Sequence, residues 1–321
     1  MEHKIGQRIN NIIDLLADDY KKDFGDNAEL SFQYPDKEQI VEILMQLRKV
    51  IFPEYFKSNS YRVYTIKNHI SMLIEDIVFN LTKQISSVLK YDEENKLLND
   101  AQIAQKAENI TFKFLEQLPR IREYINTDVE AAYNGDPAAY NTDEIIFSYP
   151  GLYAILVNRI AHELYCLKVP IIPRMMTEHA HSCTGIDIHP GAQIGKYFFI
   201  DHGTGIVIGE TTVIGNNVKI YQGVTLGALS TRGGQKLKNK KRHPTIHDNV
   251  TIYSGATILG GDTVVGKDVV VGGNAFITTS ISEGARVSIK NQELSYNYKY
   301  KKTEKVKCSE LEQDENWYYI I

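Results

Sequence analysis

Apolar residues follow two different rhythms along this 321-residue chain. Up to about residue 182 they recur at helical spacing. Ile9, Ile12, Ile13, Leu15 and Leu16 form a first stripe. After Pro35, Asp36 can cap a second helix that carries Ile40, Val41, Ile43, Leu44 and Leu47. Ile70, Met72, Leu73, Ile77, Leu81, Ile85 and Val88 lie on one face of a helix predicted from Ile66 to Leu89. Further helices are predicted from about Asn99 to Tyr124, over 128–133 before Gly135 and Pro137, and from Gly151 to about Lys168. This half reads as a helical bundle, with Tyr55, Tyr61 and Tyr64 as packing and surface residues.

From Ile188 the rhythm changes to one aliphatic residue every six positions. The marks are Ile188, Ile194, Ile200, Ile208, Ile214, Ile220 and Leu226, then Ile246, Ile252, Ile258, Val265, Val271 and Ile277. The register slips by two before Ile208 and by one before Val265. Six matches neither the 3.6 period of a helix nor strand alternation. It fits a solenoid of very short strands that turn a corner after each mark, three strands to a coil. Gly195, Gly209, Gly215 and Gly227 follow marks directly, as tight corners favour. Thirteen marks make a little over four coils, and the rhythm is read as ending after Ile281. The predicted class is therefore α+β, with a helical domain over 1–182, a β-helix over 183–285 and a C-terminal tail over 286–321.

Composition narrows the function. With 43% hydrophobic and 24% charged residues the chain reads as a soluble globular protein. A net charge of −4 without a dominant basic face argues against nucleic acid, and no apolar run is long enough to span a membrane. The N-terminus lacks an apolar signal core, and Cys166, Cys183 and Cys308 form neither a disulfide framework nor a zinc knuckle. The expected location is the cytoplasm. The six-residue rhythm is broken once, by a polar, basic insert within 229–243 that contains Arg232, Lys236, Lys238, Lys240, Lys241 and Arg242. Solenoids carry such insertions as loops on one face, often the binding face.

Candidate chemistry gathers at histidines in or beside the solenoid: Asp187-Ile188-His189, Asp201-His202 and Arg242-His243. Imidazole is a ready base near neutral pH, and a carboxylate on its far nitrogen would support the imidazolium. Asp187 and His202 are 15 residues apart, less than one coil, so they can share a corner on neighbouring rungs. His189 reads as a satisfied corner residue. His202 reads as functional, because a polar Asp-His pair interrupts the rung where the register slips. A second reading joins His202, His243 and His247 in a zinc site across a subunit boundary. The run Glu178-His179-Ala180-His181-Ser182-Cys183 also resembles a metal motif and is given no role.

Several motifs then carry a family resemblance: Asp136-Pro137, Gly185-Ile186-Asp187-Ile188-His189-Pro190, the run from Asp201 to Thr211 (DHGTGIVIGET), Gly223-Val224-Thr225-Leu226-Gly227 and Arg242-His243-Pro244. Across about 128–281 the chain resembles the serine O-acetyltransferases, members of the hexapeptide-repeat acyltransferases whose coils form a left-handed parallel β-helix. Residues 1–125 resemble the extended N-terminal helical domain of some of them.

The resemblance implies acetyl transfer from acetyl-CoA to the hydroxyl of L-serine, giving O-acetylserine for cysteine synthesis, with no metal. It implies His202 as general base, oriented by Asp187. Arg242 is implied to hold the serine carboxylate, Asp136 and Asp201 the ammonium, and His243, steadied by Glu210, to complete the pocket. Gly227 and Ala228 would stabilise the oxyanion and the pantetheine arm, while Ser254, Gly255, Gly272 and Gly273 would leave room for a CoA groove. No cysteine lies among the matched residues, so transfer is expected to be direct, within a ternary complex. The family further implies inhibition by L-cysteine, a homotrimer or dimer of trimers with sites between neighbours, and docking of the terminal Ile321, with Ile320 and Tyr319, into O-acetylserine sulfhydrylase.

This sequence departs from the family pattern in three places. Ala228 stands where a second Gly is common, the basic loop is longer than in the short enzymes, and a Pro-Ala-Arg segment after the last coil is missing. The competing activities are a hexapeptide-repeat transferase with a sugar or antibiotic acceptor, and a zinc hydratase resembling the hexapeptide-repeat carbonic anhydrases.

Overall fold

A computed structural model describes residues 2–24, 34–56 and 65–289, with two further strand segments, 294–296 and 304–306. The chain forms two compact units, 1–34 and 35–321. The first holds helix α1 (Glu2–Phe24), whose stripe of Ile5, Ile9, Ile12, Ile13 and Leu16 is exposed.

The second unit begins with α2 (Lys37–Ile51), and its start is set by the predicted cap. The Asp36 carboxylate accepts from the backbone N–H groups of Glu38 (2.9 Å) and Gln39 (3.2 Å). Helix α3 (Ile66–Leu89) has the predicted bounds. The helix expected from Asn99 to Tyr124 is instead two, α4 (Asp100–Leu115) and α5 (Leu118–Gly135). Pro119 is the cause: it has no N–H and its ring opposes the preceding turn, so it fits only the first turn of a new helix. The short helix expected at 128–133 is the second half of α5. Helices α6 (Thr142–Ser148) and α8 (Ile172–Thr184) were not separately predicted.

Helix α7 (Pro150–Cys166) joins helices to solenoid. It is apolar on nearly every side, with Leu152, Ala154, Ile155, Leu156, Val157, Ile160, Ala161 and Leu164 all buried. At Gly151 the helix passes the first coil so closely that a β-carbon would lie 2.5 Å from the Ile200 carbonyl oxygen.

The solenoid has three parallel sheets, each one wall of a prism. Sheet 1 is β1 (Asp187–Ile188), β4 (Val207–Ile208), β7 (Thr225–Gly227), β10 (Thr257–Leu259) and β13 (Phe276–Ile277). Sheet 2 is β2 (Gln193–Ile194), β5 (Val213–Ile214), β8 (Thr245–Ile246) and β11 (Val264–Val265), extended by an Ile281 bridge to Val265. Sheet 3 is β3 (Phe199–Asp201), β6 (Lys219–Tyr221), β9 (Thr251–Ile252), β12 (Val270–Val271) and β14 (Arg286–Val287).

Every predicted mark lies in one of β1–β13, and the marks stack in register. Ile188, Ile208 and Leu226 align on sheet 1, Ile200, Ile220 and Ile252 on sheet 3. The solenoid runs longer than the marks indicate, because the Ile281 bridge and β14 continue it to about five turns. Val287, six residues after Ile281, is thus one more mark, inside the stretch expected to be tail. The corner between sheets 2 and 3 requires positive φ at Asn217, Asn249 and Asp268. Asn and Asp tolerate that geometry, and these three bond in a column, Asn217 to Asn249 at 3.0 Å and Asn249 to Asp268 at 2.8 Å.

The basic insert leaves the prism between β7 and β8, at the corner joining sheets 1 and 2, and contains a single 3-10 turn, Gly234–Leu237. Backbone strands β15 (Leu294–Tyr296) and β16 (Glu304–Val306) pair antiparallel. No described helix is long and apolar enough to cross a membrane.

Candidate active site

The predicted site residues collect at two different corners of the prism. The first lies between sheets 3 and 1. Here β3 ends at Asp201, and His202 turns the chain with φ +58°, leaving its side chain 56% exposed. Asp201 is buried, with Oδ1 3.7 Å from His202 Nδ1 and Oδ2 3.4 Å from Lys219 Nζ.

Asp136, the residue after α5, reaches the same corner. It accepts from the Tyr149 hydroxyl (2.6 Å) and the Ala138 N–H (2.8 Å). Burial works to raise its pKa, but those two bonds and the charges of Lys219 and His202 outweigh it, so the carboxyl stays below its ordinary range. Burial and the Asp136 bond push the Tyr149 hydroxyl well above its ordinary value, so it remains a donor.

The second corner lies between sheets 1 and 2. Glu210 accepts from Tyr165 Oη (2.8 Å) and pairs with Arg242 at the end of the basic loop. Burial would raise the Glu210 pKa, yet bonds from Arg242 and Tyr165 hold it below normal. His243 is buried beside them. Its Nδ1 accepts from the Thr211 backbone N–H (3.1 Å) and lies 2.9 Å from Thr211 Oγ1. Oγ1 itself accepts from the N–H groups of Arg242 and His243, so its own hydrogen is free to point at Nδ1. The neutral imidazole therefore carries its hydrogen on Nε2. Burial, then the Arg242 charge, lowers its pKa to about 4. His189 reads as predicted, a corner residue whose Nδ1 accepts from Gly191 N–H (3.0 Å).

The Asp187 carboxylate faces Arg174 Nη1 at 3.4 Å, while Asp201 Oδ1 approaches His202 Nδ1 at 3.7 Å. The other contributors missed by the sequence reading are Lys219, Tyr149, Tyr165, Thr211 and Arg174. Lys219 did carry a signal, since it is the one basic residue directly preceding any of the thirteen predicted marks.

The expected CoA residues divide in the same way. Gly227 and Ala228 end β7 at the second corner, whereas Ser254, Gly255, Gly272 and Gly273 lie along the first. There Gly205, Gly223 and Gly255 stack at positive φ, the first two facing the backbone of the next coil and Gly255 facing the Asn274 side chain. A surface cleft of about 390 Å³ opens over β2 between α5 and α7, lined by Arg120, Arg159, His162 and Cys166 among others, and contains none of the predicted site residues.

For the zinc alternative, His243 Nδ1 is taken by the Thr211 N–H and hydroxyl, so only its Nε2 could serve as a metal donor. Donor atoms of Glu178, His181 and Asp187 do converge within 4.8 Å, but Arg174 pairs with both carboxylates.

Known proteins resemble this chain over most of its length. No family model matches the chain. A serine acetyltransferase encoded on a plasmid of Synechococcus elongatus is 44% identical over 263 residues, covering 80% of this chain and 82% of the relative. The crystal structure of Entamoeba histolytica serine acetyltransferase 1 in complex with L-cysteine has a TM-score of 0.67 at 39% identity, covering 79% of this chain and 87% of that one. The serine complex of Neisseria gonorrhoeae serine acetyltransferase superposes with a TM-score of 0.51 at 25% identity, covering 78% and 95%. With the sequence likeness spanning four-fifths of each partner and both corners lying within it, the chain belongs to the serine acetyltransferase family.

Proposed function

We propose that the chain transfers the acetyl group of acetyl-CoA to the side-chain hydroxyl of L-serine, with His202 as general base. The observation that carries this reading is the meeting of Asp136, Asp201 and an exposed His202 at one corner. A serine hydroxyl is too weak an acid to attack a thioester unaided. As its oxygen bonds to the acetyl carbon, the imidazole takes its proton. When the C–S bond breaks, the departing CoA thiolate takes that proton back. No acyl-enzyme is needed, and the described free thiols, Cys166 and Cys183, lie outside both corners.

Asp136 and Asp201 receive the ammonium, and Arg242, with His243 Nε2–H, receives the carboxylate. Because these two sets lie on different corners of one prism, a complete site takes one corner from each of two copies. This favours a trimer around the solenoid, with the helical half joining two trimers. Acetyl-CoA then lies along the Gly223–Gly255 column of one copy and the Gly227–Ala228 strand end of its neighbour. The Entamoeba relative binds L-cysteine and the Neisseria relative serine, which supports cysteine as an inhibitor at the serine site here. Docking of Ile321, Ile320 and Tyr319 into a sulfhydrylase remains part of the proposal; those residues lie outside the described ones.

The test is thiol release from acetyl-CoA with L-serine, comparing wild type with His202→Asn. Serine-dependent release by wild type and its loss in the variant are expected. Release with a sugar acceptor but not with serine would overturn the assignment.

A further inference from the structure

Lys219 occupies an unusual place in the solenoid. It lies on β6, in register with Phe199 of β3 and Thr251 of β9, yet its ammonium is turned toward the helical half. Nζ donates to the Gly135 carbonyl oxygen at 2.7 Å, directly before Asp136 in the chain. It is also 3.4 Å from Asp201 Oδ2. The rings of Phe199 and Tyr221 flank it, with centroids 4.8 and 4.7 Å from Nζ, and Tyr221 is itself stacked on Tyr253 at 5.0 Å. A flexible lysine is thus fixed on four sides, with its side chain only 22% exposed.

We propose that Lys219 is a positioning residue for the serine ammonium: it fixes Asp136 and Asp201 at one distance and sets the charge of their pocket. The proposal rests on the serine reading above. Two carboxylates and one lysine leave a single net negative charge, which one substrate ammonium neutralises. Without Lys219, Asp136 and Asp201 would face each other and His202 with two uncompensated charges, favouring the protonated imidazole that cannot act as a base. The groups facing this corner are Asp201 from β3, His202 from the turn after it, Lys219 from β6, Asp136 from the end of α5 and Tyr149 from the start of α7. Glu144 of α6 acts on Tyr149 from behind. Lys219 supplies the only cationic side chain among them besides His202. The cation also ties α5 to the solenoid through Gly135, so a purely structural role must be separated from this one.

The experiment measures kcat/KM for L-serine from pH 5.5 to 9, at saturating acetyl-CoA, for wild type, Lys219→Met, Lys219→Gln and Lys219→Arg. With Met or Gln the acid limb should move up by about one pH unit, a tenfold loss of kcat/KM below the limb. The KM for acetyl-CoA should stay within about twofold, and Arg, which keeps the charge, should keep the wild-type limb. A neutral variant that loses thermal stability but retains the wild-type limb overturns the proposal, leaving only the structural tie. A shifted limb in Lys219→Arg, which retains the charge even where neutral variants fail to fold, overturns it too. Wild-type enzyme inert toward serine would instead refute the assigned reaction.

Discussion

Arg159 of α7 clasps Asp128 of α5 in the interior, its Nε 2.6 Å and Nη2 2.8 Å from the two carboxylate oxygens. The same guanidinium donates to the carbonyl oxygens of Ile194 (3.2 Å) and Gly195 (2.8 Å), and Asp128 Oδ1 accepts from Phe198 N–H (2.9 Å). One buried ion pair therefore fixes both helices against the first coil. Asp128→Asn leaves a guanidinium buried without its counter-charge and should cost about 3–5 kcal/mol, read as a lower urea midpoint at unchanged slope. Asp128→Leu combined with Arg159→Met should recover part of that loss.

His202 calls for two substitutions, because its backbone is left-handed. Asn adopts positive φ readily and Ala does not. His202→Asn should lower kcat by about 10²–10⁴-fold at nearly unchanged melting temperature, since the side chain is largely exposed. His202→Ala should lose the same activity and some stability as well. A kcat within about threefold of wild type in the Asn variant would remove His202 from the mechanism.

Gly209 is fixed by the site rather than by its own backbone. A β-carbon there would overlap the His243 ring, so Gly209→Ala must displace the imidazole or part β4 from β7. The expected result is a loss of serine turnover of about tenfold or more, with parallel weakening of cysteine inhibition, the signature of a disturbed amino-acid pocket. Wild-type kinetics in this variant would show that His243 does not contact the substrate.

The solenoid was almost fully legible in the sequence because a six-residue rung, three to a coil, binds each mark, such as Ile220, to the same structural task. Val287 escaped notice only because the chain slips between Ile277 and Ile281. The helical half was legible where a cap such as Asp36 sat at a boundary, and misread at Pro119, where one apolar stripe runs through two helices. The site residues were legible by motif, but their division between two corners was not: that depends on which strand each one follows. Lys219 and Tyr149 belong to no motif: the register of β6 on β3 sets Lys219 beside Asp201, and the junction of α6 and α7 sets Tyr149 on Asp136.

Acid should weaken the fold through His243. Its unfolded imidazole titrates near 6.5, while in the fold its pKa is lowered to about 4 by burial and by Arg242. Between those values the unfolded chain binds a proton that the folded chain refuses, so stability is complete above about pH 6.5 and declines as pH falls toward 4. His243→Asn, which keeps an acceptor for the Thr211 N–H, should flatten the fall in melting temperature across that window. An equally steep fall in the variant would assign the acid sensitivity to other groups.

Arg242 is held by Glu210 before substrate arrives, and Glu210 is held in turn by Tyr165. The guanidinium is thus oriented in advance with one edge engaged, and a serine carboxylate can take the other without a search for geometry. Lysine in its place keeps the charge but offers one point of contact. Arg242→Lys should therefore raise the KM for L-serine about tenfold or more, the loss of one charge-assisted hydrogen bond, while the KM for acetyl-CoA changes little. Glu210→Gln should give a smaller rise in the same constant, because it frees the guanidinium without removing it. An acceptor lacking a carboxylate would be indifferent to both changes, so steady-state kinetics on these two variants separates an amino-acid site from one built for a sugar.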